Sequence, residues 1–176
     1  MQILVHICCA PCFTYPHKRL IEEGHEVTGF FYNPNIHPYS EYRNRMGSLE
    51  KYAELKGTRI IYRDDYDLES YLRGALAADD RCTFCYTSRL GEAARTAVLL
   101  GFSAFTTTLL ISPYQKHDML VHAGEKAADE HSIEFYYEDF RDGYRESREM
   151  AKGLELYMQK YCGCIFSEKE RYLKLK

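Results

Sequence analysis

Three cysteines within five residues, in the run His6-Ile-Cys-Cys-Ala-Pro-Cys12, constrain this chain more than any other feature. They follow the apolar stretch Ile3-Leu4-Val5, which reads as a short buried strand over residues 2–7. That puts soft ligands at the mouth of the strand, where open α/β sheets hold their chemistry. Two further groups, Cys82-Thr-Phe-Cys85 and Cys162-Gly-Cys164, account for the rest, so all seven cysteines lie in three tight groups and none is left as ordinary core filler. An odd total cannot pair fully. Clustered thiols in a reducing compartment point to metal binding or redox catalysis rather than to structural bridges. The groups are about 70 and about 77 residues apart, whereas a zinc ribbon closes its site within a few dozen residues. One shared site, assembled by the tertiary fold, is therefore expected. Seven sulfurs exceed the four that hold a tetrahedral zinc or one iron–sulfur cluster. The surplus suggests a cluster plus a second metal, or a cluster beside redox-active thiols.

A chain of 176 residues buries roughly 70% of the surface its unfolded form exposes, enough for a real core without disulfide staples. A single domain over residues 1–176 is the simplest organisation, with no internal repeat, low-complexity segment or linker. Net charge is −3, with 28% charged and 45% hydrophobic residues, which is ordinary for a globular protein and announces no nucleic-acid partner. No apolar run approaches the ~20 residues of a membrane span. The apolar N-terminal start is too short for a signal peptide and runs directly into cysteines, so a cytoplasmic protein with no membrane partner is expected. Sixteen tyrosines and nine phenylalanines with no tryptophan fill most of the core and leave several rings for stacking on a flat substrate.

After the first strand, Pro11 and Cys12 are expected to break the chain before a helix over about 15–23, closed by Gly24. Residues 27–32 read as a second strand that halts at Asn33-Pro34-Asn35. A helix over 40–56 follows, with Ser40 as candidate N-cap and Gly57 as its stop. A third strand spans 58–62. The acidic Asp64, Asp65 and Asp67 precede a helix to about residue 78, and the C-x-x-C opens another to residue 100, capped by Gly101. A fourth strand covers 103–108, a helix about 117–130, and a fifth strand 133–137. From Asp139 onward the pattern is helical with glycine interruptions. Five strands alternating with helices predict an α/β fold, a single Rossmann-like domain with a parallel sheet covered on both faces. The helical C-terminal segment, from about residue 140, brings the C-G-C back towards the sheet and completes the metal site.

Other residues offer chemistry beside the cysteines. The loop Asn33-Pro34-Asn35-Ile36-His37-Pro38, followed by Glu41, Tyr42, Arg43 and Arg45, reads equally as a recognition loop and as a rigid turn before a solvated helix. His6 reads as a strand-end residue hydrogen-bonded in place, and His117 and His122 as surface residues. Glycine-rich phosphate loops are missing, which leaves a dinucleotide cofactor unsupported. Thr106, Thr107, Thr108 and Ser112 put hydroxyls at a strand end. Asp139 is the carboxylate expected nearest the metals, as an oxygen ligand or proton donor, with an ion pair to Arg141 or Arg145 as the plain alternative. Basic residues gather at Arg43, Arg45, Lys51, Lys56 and Arg59 and at Lys169, Arg171, Lys174 and Lys176, where they either meet phosphates or form solvated helix faces.

Taken together, H-I-C-C-A-P-C, F-Y-N-P-N-I-H-P-Y-S-E-Y, R-C-T-F-C-Y-T-S-R-L, F-T-T-T-L-L-I-S-P-Y-Q, D-F-R-D-G-Y and Y-M-Q-K-Y-C-G-C-I-F-S resemble the QueH family of epoxyqueuosine reductases. The likeness runs from His6 to Ser167 and includes all seven cysteines. Where the family often has a Gly-Gly-like approach to its C-x-x-C, this chain has Asp79-Asp80. The resemblance implies the last step of queuosine biosynthesis: two-electron reductive deoxygenation of epoxyqueuosine at the wobble base of tRNA. It implies an iron–sulfur cluster of the [4Fe-4S] type with a second metal, expected to be iron, and no cobalamin. Cys8, Cys9, Cys12, Cys82, Cys85, Cys162 and Cys164 would share the metals, with no assignment of one sulfur to one metal. Partners implied are the tRNA anticodon arm and an external electron-donor protein such as a ferredoxin or flavodoxin.

Removing an epoxide oxygen needs electrons, a Lewis acid or proton donor, and a shielded site. Asp139, Tyr114 and Tyr161 are the candidate proton donors. Asn33, Asn35, His37, Tyr42, Arg43, Tyr86, Thr107 and Gln115 are candidates for substrate binding, and Phe31, Tyr32 and Tyr86 could stack on a base splayed out of its loop. Two rivals come from other classes. A zinc-stabilised RNA-binding module would need the cysteines but no electrons; an ATP-dependent thiolation enzyme would need the phosphate loop that the chain lacks.

Overall fold

A computed structural model describes residues 1–173 as one parallel five-stranded sheet with helices on both faces. In chain order the elements are β1 (Gln2–His6), α1 (Ala10–Glu22), β2 (Glu26–Phe31), α2 (Tyr39–Lys56), β3 (Ile60–Tyr62), α3 (Leu68–Ala77), α4 (Arg81–Leu99), β4 (Ala104–Thr107), α5 (His117–His131), β5 (Glu134–Phe135), α6 (Tyr144–Gly153) and α7 (Ile165–Tyr172). The strand order is β3-β2-β1-β4-β5, so the expected α/β class is what the chain adopts. No helix among the described residues is long and apolar enough to cross a membrane. Lys174 and Lys176, grouped above with Lys169 and Arg171, lie outside the described residues.

β1 occupies the centre, and Ile3, Leu4 and Val5 are fully buried. A strand covered on both faces needs a continuous apolar run rather than an alternating one, which is why this stretch carries no period of two. Its neighbours reverse direction of travel across the sheet: β2 and β3 are added on one side, β4 and β5 on the other. A crevice opens between the carboxyl ends of β1 and β4 at this switch point. His6 and Thr107, the last residues of the two strands, are register partners, so whatever follows them is delivered to that crevice.

Several element boundaries differ from the sequence expectation for identifiable reasons. α1 begins at Ala10 rather than near Tyr15, with Cys9 as its extended N-cap (φ −169°) and Pro11 in its first turn. The first N–H groups of a helix have no intrahelical acceptor, so proline loses nothing there and starts the helix instead of breaking it. α2 begins at Tyr39, and its N-cap is Pro38, not Ser40. The Pro38 carbonyl accepts from the amides of both Glu41 and Tyr42. The cluster of aspartates works as caps: Asp67 accepts from Ser70 N at the start of α3, and Asp80 from Thr83 N at 2.8 Å at the start of α4. β4 stops at Thr107 because the chain tightens into a 3-10 turn over Thr108–Ile111. β5 pairs only with Ala104 and Phe105 and is two residues long.

α1 packs on α2 through an aromatic cluster in which His17 lies 4.7 Å from Phe13 and 5.7 Å from Tyr52 between ring centroids. His17 Nδ1 is 2.9 Å from the Tyr52 hydroxyl and Nε2 is 3.0 Å from Thr58 Oγ1. Burial, with Lys56 nearby, holds its pKa down at about 4. The unfolded chain therefore binds a proton near pH 6.5 that the native state refuses, and stability is lost as the pH falls through that window. Between pH 7 and pH 5 this group alone should remove roughly 2 kcal/mol. His17→Gln is expected to flatten the pH dependence of the urea midpoint over that interval, and an unchanged slope would count against the assignment.

Candidate metal centre and its cavity

The first three cysteines meet where β1 gives way to α1. The sulfurs of Cys8, Cys9 and Cys12 lie within 4.8 Å of one another, all in buried residues. Cys9 caps α1 and Cys12 sits one turn in, so an i, i+3 spacing puts both on one face at a helix N-terminus. The positive end of the helix dipole favours thiolates there. Thr108, just beyond β4, accepts from Cys8 N at 3.1 Å and donates to Cys8 Sγ at 3.3 Å. Cys12 and Cys9 hydrogen-bond the Cys8 sulfur, and with Arg89 and Thr108 they hold its pKa well below the ordinary thiol range against the cost of burial. The same sharing pushes Cys12 up, and burial pushes Cys9 up. The set could hold a metal ion.

The other four sulfurs stand nearby in a looser set. All seven thiols are free. Cys82 and Cys85 lie in the first turns of α4, whose N-cap Asp80 is paired with Lys116 at 2.8 Å. Cys164 is the N-cap of α7, accepting from Ser167 N at 3.4 Å. Cys85 and Cys164 belong to a small cluster with Tyr71, Phe84 and Phe166. Cys162 is open to solvent as a residue, but its thiol faces inward, takes a hydrogen bond from Gln115 Nε2 at 3.4 Å, and is pushed up to about 11 by burial. Each of the three groups thus begins a helix, and only the first is already compact enough to grip an ion by itself.

Two buried arginines organise these groups. Arg89, one turn after Cys85 on α4, is 1% exposed and has no carboxylate within 4.0 Å among the described residues. Its guanidinium donates to Asn33 Oδ1 at 2.9 Å and lies 3.6 Å from Cys85 Sγ. The sulfurs of Cys8, Cys85 and Cys162 all lie within its electrostatic reach. An unpaired buried charge costs several kcal/mol unless an anion answers it, and the sulfurs of Cys85, Cys8 and Cys162 are the leading candidates around Arg89. His6 is neutral: burial and Arg89 hold it down at about 3. Its Nε2 faces the Tyr32 carbonyl at 3.1 Å, and its Nδ1 faces Thr107 Oγ1 at 2.9 Å. Arg89 Nε approaches the same Nε2 at 3.4 Å.

Arg45 does a different job. It is paired with Glu41 at 2.8 Å, and its two terminal nitrogens donate to the carbonyls of Tyr161 and Cys162, each at 2.9 Å. This clasp fixes the C-terminal segment against α2. Gly163, between the two cysteines, has φ +148°, and a Cβ there would stand 3.2 Å from Asn35 Nδ2 and 3.3 Å from an Arg45 nitrogen. The backbone conformation favours glycine, and the close neighbours would have to shift by a few tenths of an ångström to admit a side chain.

Above the first group opens a cavity of about 660 Å³ with Cys8, Cys12 and Cys162 in its wall. Tyr114, Tyr144 and Tyr161, Gln115 and Gln159, and the cations Arg148, Lys160 and Arg171 also line it. Gln159 Nε2 reaches Cys12 Sγ at 3.5 Å, and its Oε1 is buried with no partner. A second hollow, of about 570 Å³, lies at the amino ends of β4 and β5 beside Val98, Phe102 and Ile133, with no sulfur in its lining.

The sequence candidates divide against this geometry. Gln115, Tyr114 and Tyr161 face the cavity, although the Tyr161 hydroxyl is already spent on the His37 carbonyl. Asn33, Asn35, His37, Tyr42 and Thr107 are buried, which matches the rigid-turn reading of the loop after β2. Asn33 bridges Ile7 O and Arg89, and His37 joins Pro34 O to the amide of Ile165. Tyr86 stands behind Gln115, donating to its Oε1 at 2.7 Å. Arg43 is exposed and paired with Asp64. Phe31 is fully buried and Tyr32 is covered by Arg63, so neither ring is free to stack. Asp139 is a correction. It is engaged by the Arg141 amide and guanidinium, does not line the cavity, and is held at about pKa 2, too acidic to donate a proton near neutrality. Arg89 and Gln159 were missed as site residues. Both fall inside the quoted motifs, but nothing in sequence marks an arginine as buried without a carboxylate.

A small Rossmann-like α/β protein whose switch-point crevice is lined with thiols is the class that fold and site define, one suited to a sulfur-bound metal. Comparison with known families goes further. The family model described as "Epoxyqueuosine reductase QueH" matches residues 3–170, and the chain belongs to that family. Among curated proteins it is 40% identical to the epoxyqueuosine reductase QueH of Dehalococcoides mccartyi, over 98% of this chain and 96% of that one. Identity is 34% to the Thermotoga maritima protein of the same name, covering 96% and 91%. It is 37% to that of Helicobacter pylori, where 95% of this chain spans 49% of a longer protein.

Gly163→Ala tests the clasp. The added methyl and the forbidden φ should lower stability by about 1–3 kcal/mol, read by urea denaturation, and should reduce bound metal more than a loss of that size elsewhere in the fold.

Proposed function

We propose that this protein is a cobalamin-independent epoxyqueuosine reductase acting on tRNA. The reaction takes two electrons and two protons, breaks both C–O bonds of the epoxide, and leaves a carbon–carbon double bond and water. The observation that carries the metal side of this reading is Arg89: a buried guanidinium with no carboxylate, surrounded by sulfurs from all three cysteine groups. Thiolates bound to a metal cluster are the anions that would answer it.

The donor set fits such a group. Seven free, mostly buried thiols at three helix N-termini oversupply a single zinc and suffice for a [4Fe-4S] cluster with a second metal, iron by our reading. Cys8, Cys9 and Cys12 would provide the core of the ligand set, with Cys82, Cys85, Cys162 and Cys164 completing it. When bound, such a centre supplies electrons singly and a Lewis acid for the epoxide oxygen. The chain itself shapes, shields and protonates. Tyr144 lines the cavity within electrostatic reach of Cys9 and Cys12, and burial raises its pKa, so it is a protonated hydroxyl at neutral pH. We assign it the proton delivery first sought in Asp139, with Tyr114 as the second hydroxyl of the same wall. Gln115 and Gln159 orient the nucleoside and hold Cys162 and Cys12 in place. Electrons come from a separate carrier protein of the ferredoxin or flavodoxin type.

Purification without oxygen, followed by iron and sulfide analysis and turnover on epoxyqueuosine-containing tRNA with no cobalamin added, tests the reading. A colourless, zinc-only preparation without turnover would sink it. Cys12→Ala should lose iron and at least nine-tenths of the activity. Tyr144→Phe should keep iron and tRNA binding while lowering kcat about 10²-fold, the usual size of a general-acid contribution. Arg89→Met should make the centre's reduction potential more negative, because a removed positive charge no longer favours the incoming electron; an unmoved potential would show that the guanidinium is not its counter-charge.

A further inference from the structure

We propose that Arg148, Lys160 and Arg171 form a phosphate clamp at the mouth of the thiol cavity, gripping the RNA backbone on either side of the nucleotide that enters. The proposal rests on the tRNA reading above and deepens it by naming the residues that take the backbone. Arg148 comes from α6, Lys160 from the segment before the C-G-C turn, and Arg171 from α7, so three separate pieces of chain bring cations to one opening. None of the three has a carboxylate within 4.0 Å among the described residues, whereas most other arginines of the surface are paired, including Arg141, Arg145, Arg63 and Arg95. The carboxylate in the same lining, Glu170, is neutralised by Arg81. A chain of net charge −3 thus keeps an uncompensated positive rim over its thiols.

Two further observations say what the rim surrounds. The Tyr114 ring is 82% exposed at the mouth and stands edge-on to Tyr144 at 6.0 Å, a surface on which a base can stack as it passes. Inside, Gln159 Oε1 is a buried acceptor with no donor, its amide nitrogen being committed to Cys12. A nucleoside carrying N–H and O–H groups satisfies it, and a bare anion does not. Phosphates outside, a stacked base at the threshold and a donor group at the floor describe one splayed nucleotide.

The test is binding alone. The full chain, prepared without oxygen, is titrated with an anticodon stem–loop RNA carrying ordinary guanine at the wobble position, over a range of salt. Arg148→Gln, Lys160→Gln and Arg171→Gln should each raise Kd about three- to tenfold and each lower the slope of log K against log salt by about 0.7–0.9. Arg145→Gln, on the same helix but paired with Glu149, should match the unmutated chain. Equal slopes for the clamp variants and the unmutated chain would overturn the clamp, as would binding with no salt dependence. Iron content and turnover play no part in this readout, so the clamp and the reductase reading fail separately.

Discussion

Negative charge on sulfur has to be answered in a place where water cannot do it, and the structure answers it twice. Every cysteine group begins a helix: Cys9 caps α1, Cys82 and Cys85 open α4, and Cys164 caps α7. Unpaired N–H groups and the positive end of each helix dipole are therefore turned toward the sulfurs. Arg89 and Arg45 add full charges from beneath, one facing the sulfurs directly and one holding the turn that carries Cys162. The carboxylates near this region are each paired with a cation, Glu41 with Arg45, Asp80 with Lys116 and Glu170 with Arg81. The rest of the fold can be understood as the frame that brings three helix starts to one place.

The order of the sheet is what makes that possible. β1 is central, so the loop after it lies at the switch point, and β4 runs alongside so that Thr108 can reach Cys8. α4 crosses beneath with Arg89 set one turn behind Cys85. The buried network His6, Asn33, Thr107 and Arg89 ties the ends of β1, β2 and β4 together. Its members are polar and internal, which is expensive unless every group finds a partner, and here nearly every one does. The same network gives Asn33, just after β2, its place in the frame.

Much of this was legible from residues alone. The apolar β-branched run of β1, the glycine stops at Gly24 and Gly57, and the regular exchange of strand and helix pointed to a parallel sheet, and the three cysteine groups pointed to one site. What was not legible depended on burial. Asn33 and His37 look like recognition groups because turn sequences and binding loops use the same residue types; only packing tells them apart. Pro11 looked like a breaker because position within a helix decides whether proline disrupts it or starts it. Asp139 drew attention as a carboxylate near a strand end, but two residues on stands Arg141, whose amide and guanidinium both engage it. Arg89 and Gln159 carried no local signal, since the meaning of each lies in what is absent around it.

The C-terminal segment joins the molecule without entering the sheet. Two of Arg45's hydrogen bonds, the contacts of His37 with Tyr161, Gly163 and Ile165, and the bonds of Tyr157 to Ser48 and Glu41 are among its polar anchors to the βα body. A wall attached by a few side chains rather than by a strand ladder belongs to the least stable cooperative unit of a domain. Cys8, Cys9 and Cys12 are thus rooted beside the central strand, while Cys162 and Cys164 are carried by a segment held through side chains and single backbone bonds. Local unfolding confined to that segment would part Cys162 and Cys164 from the first cysteine group while leaving the strand ladder intact.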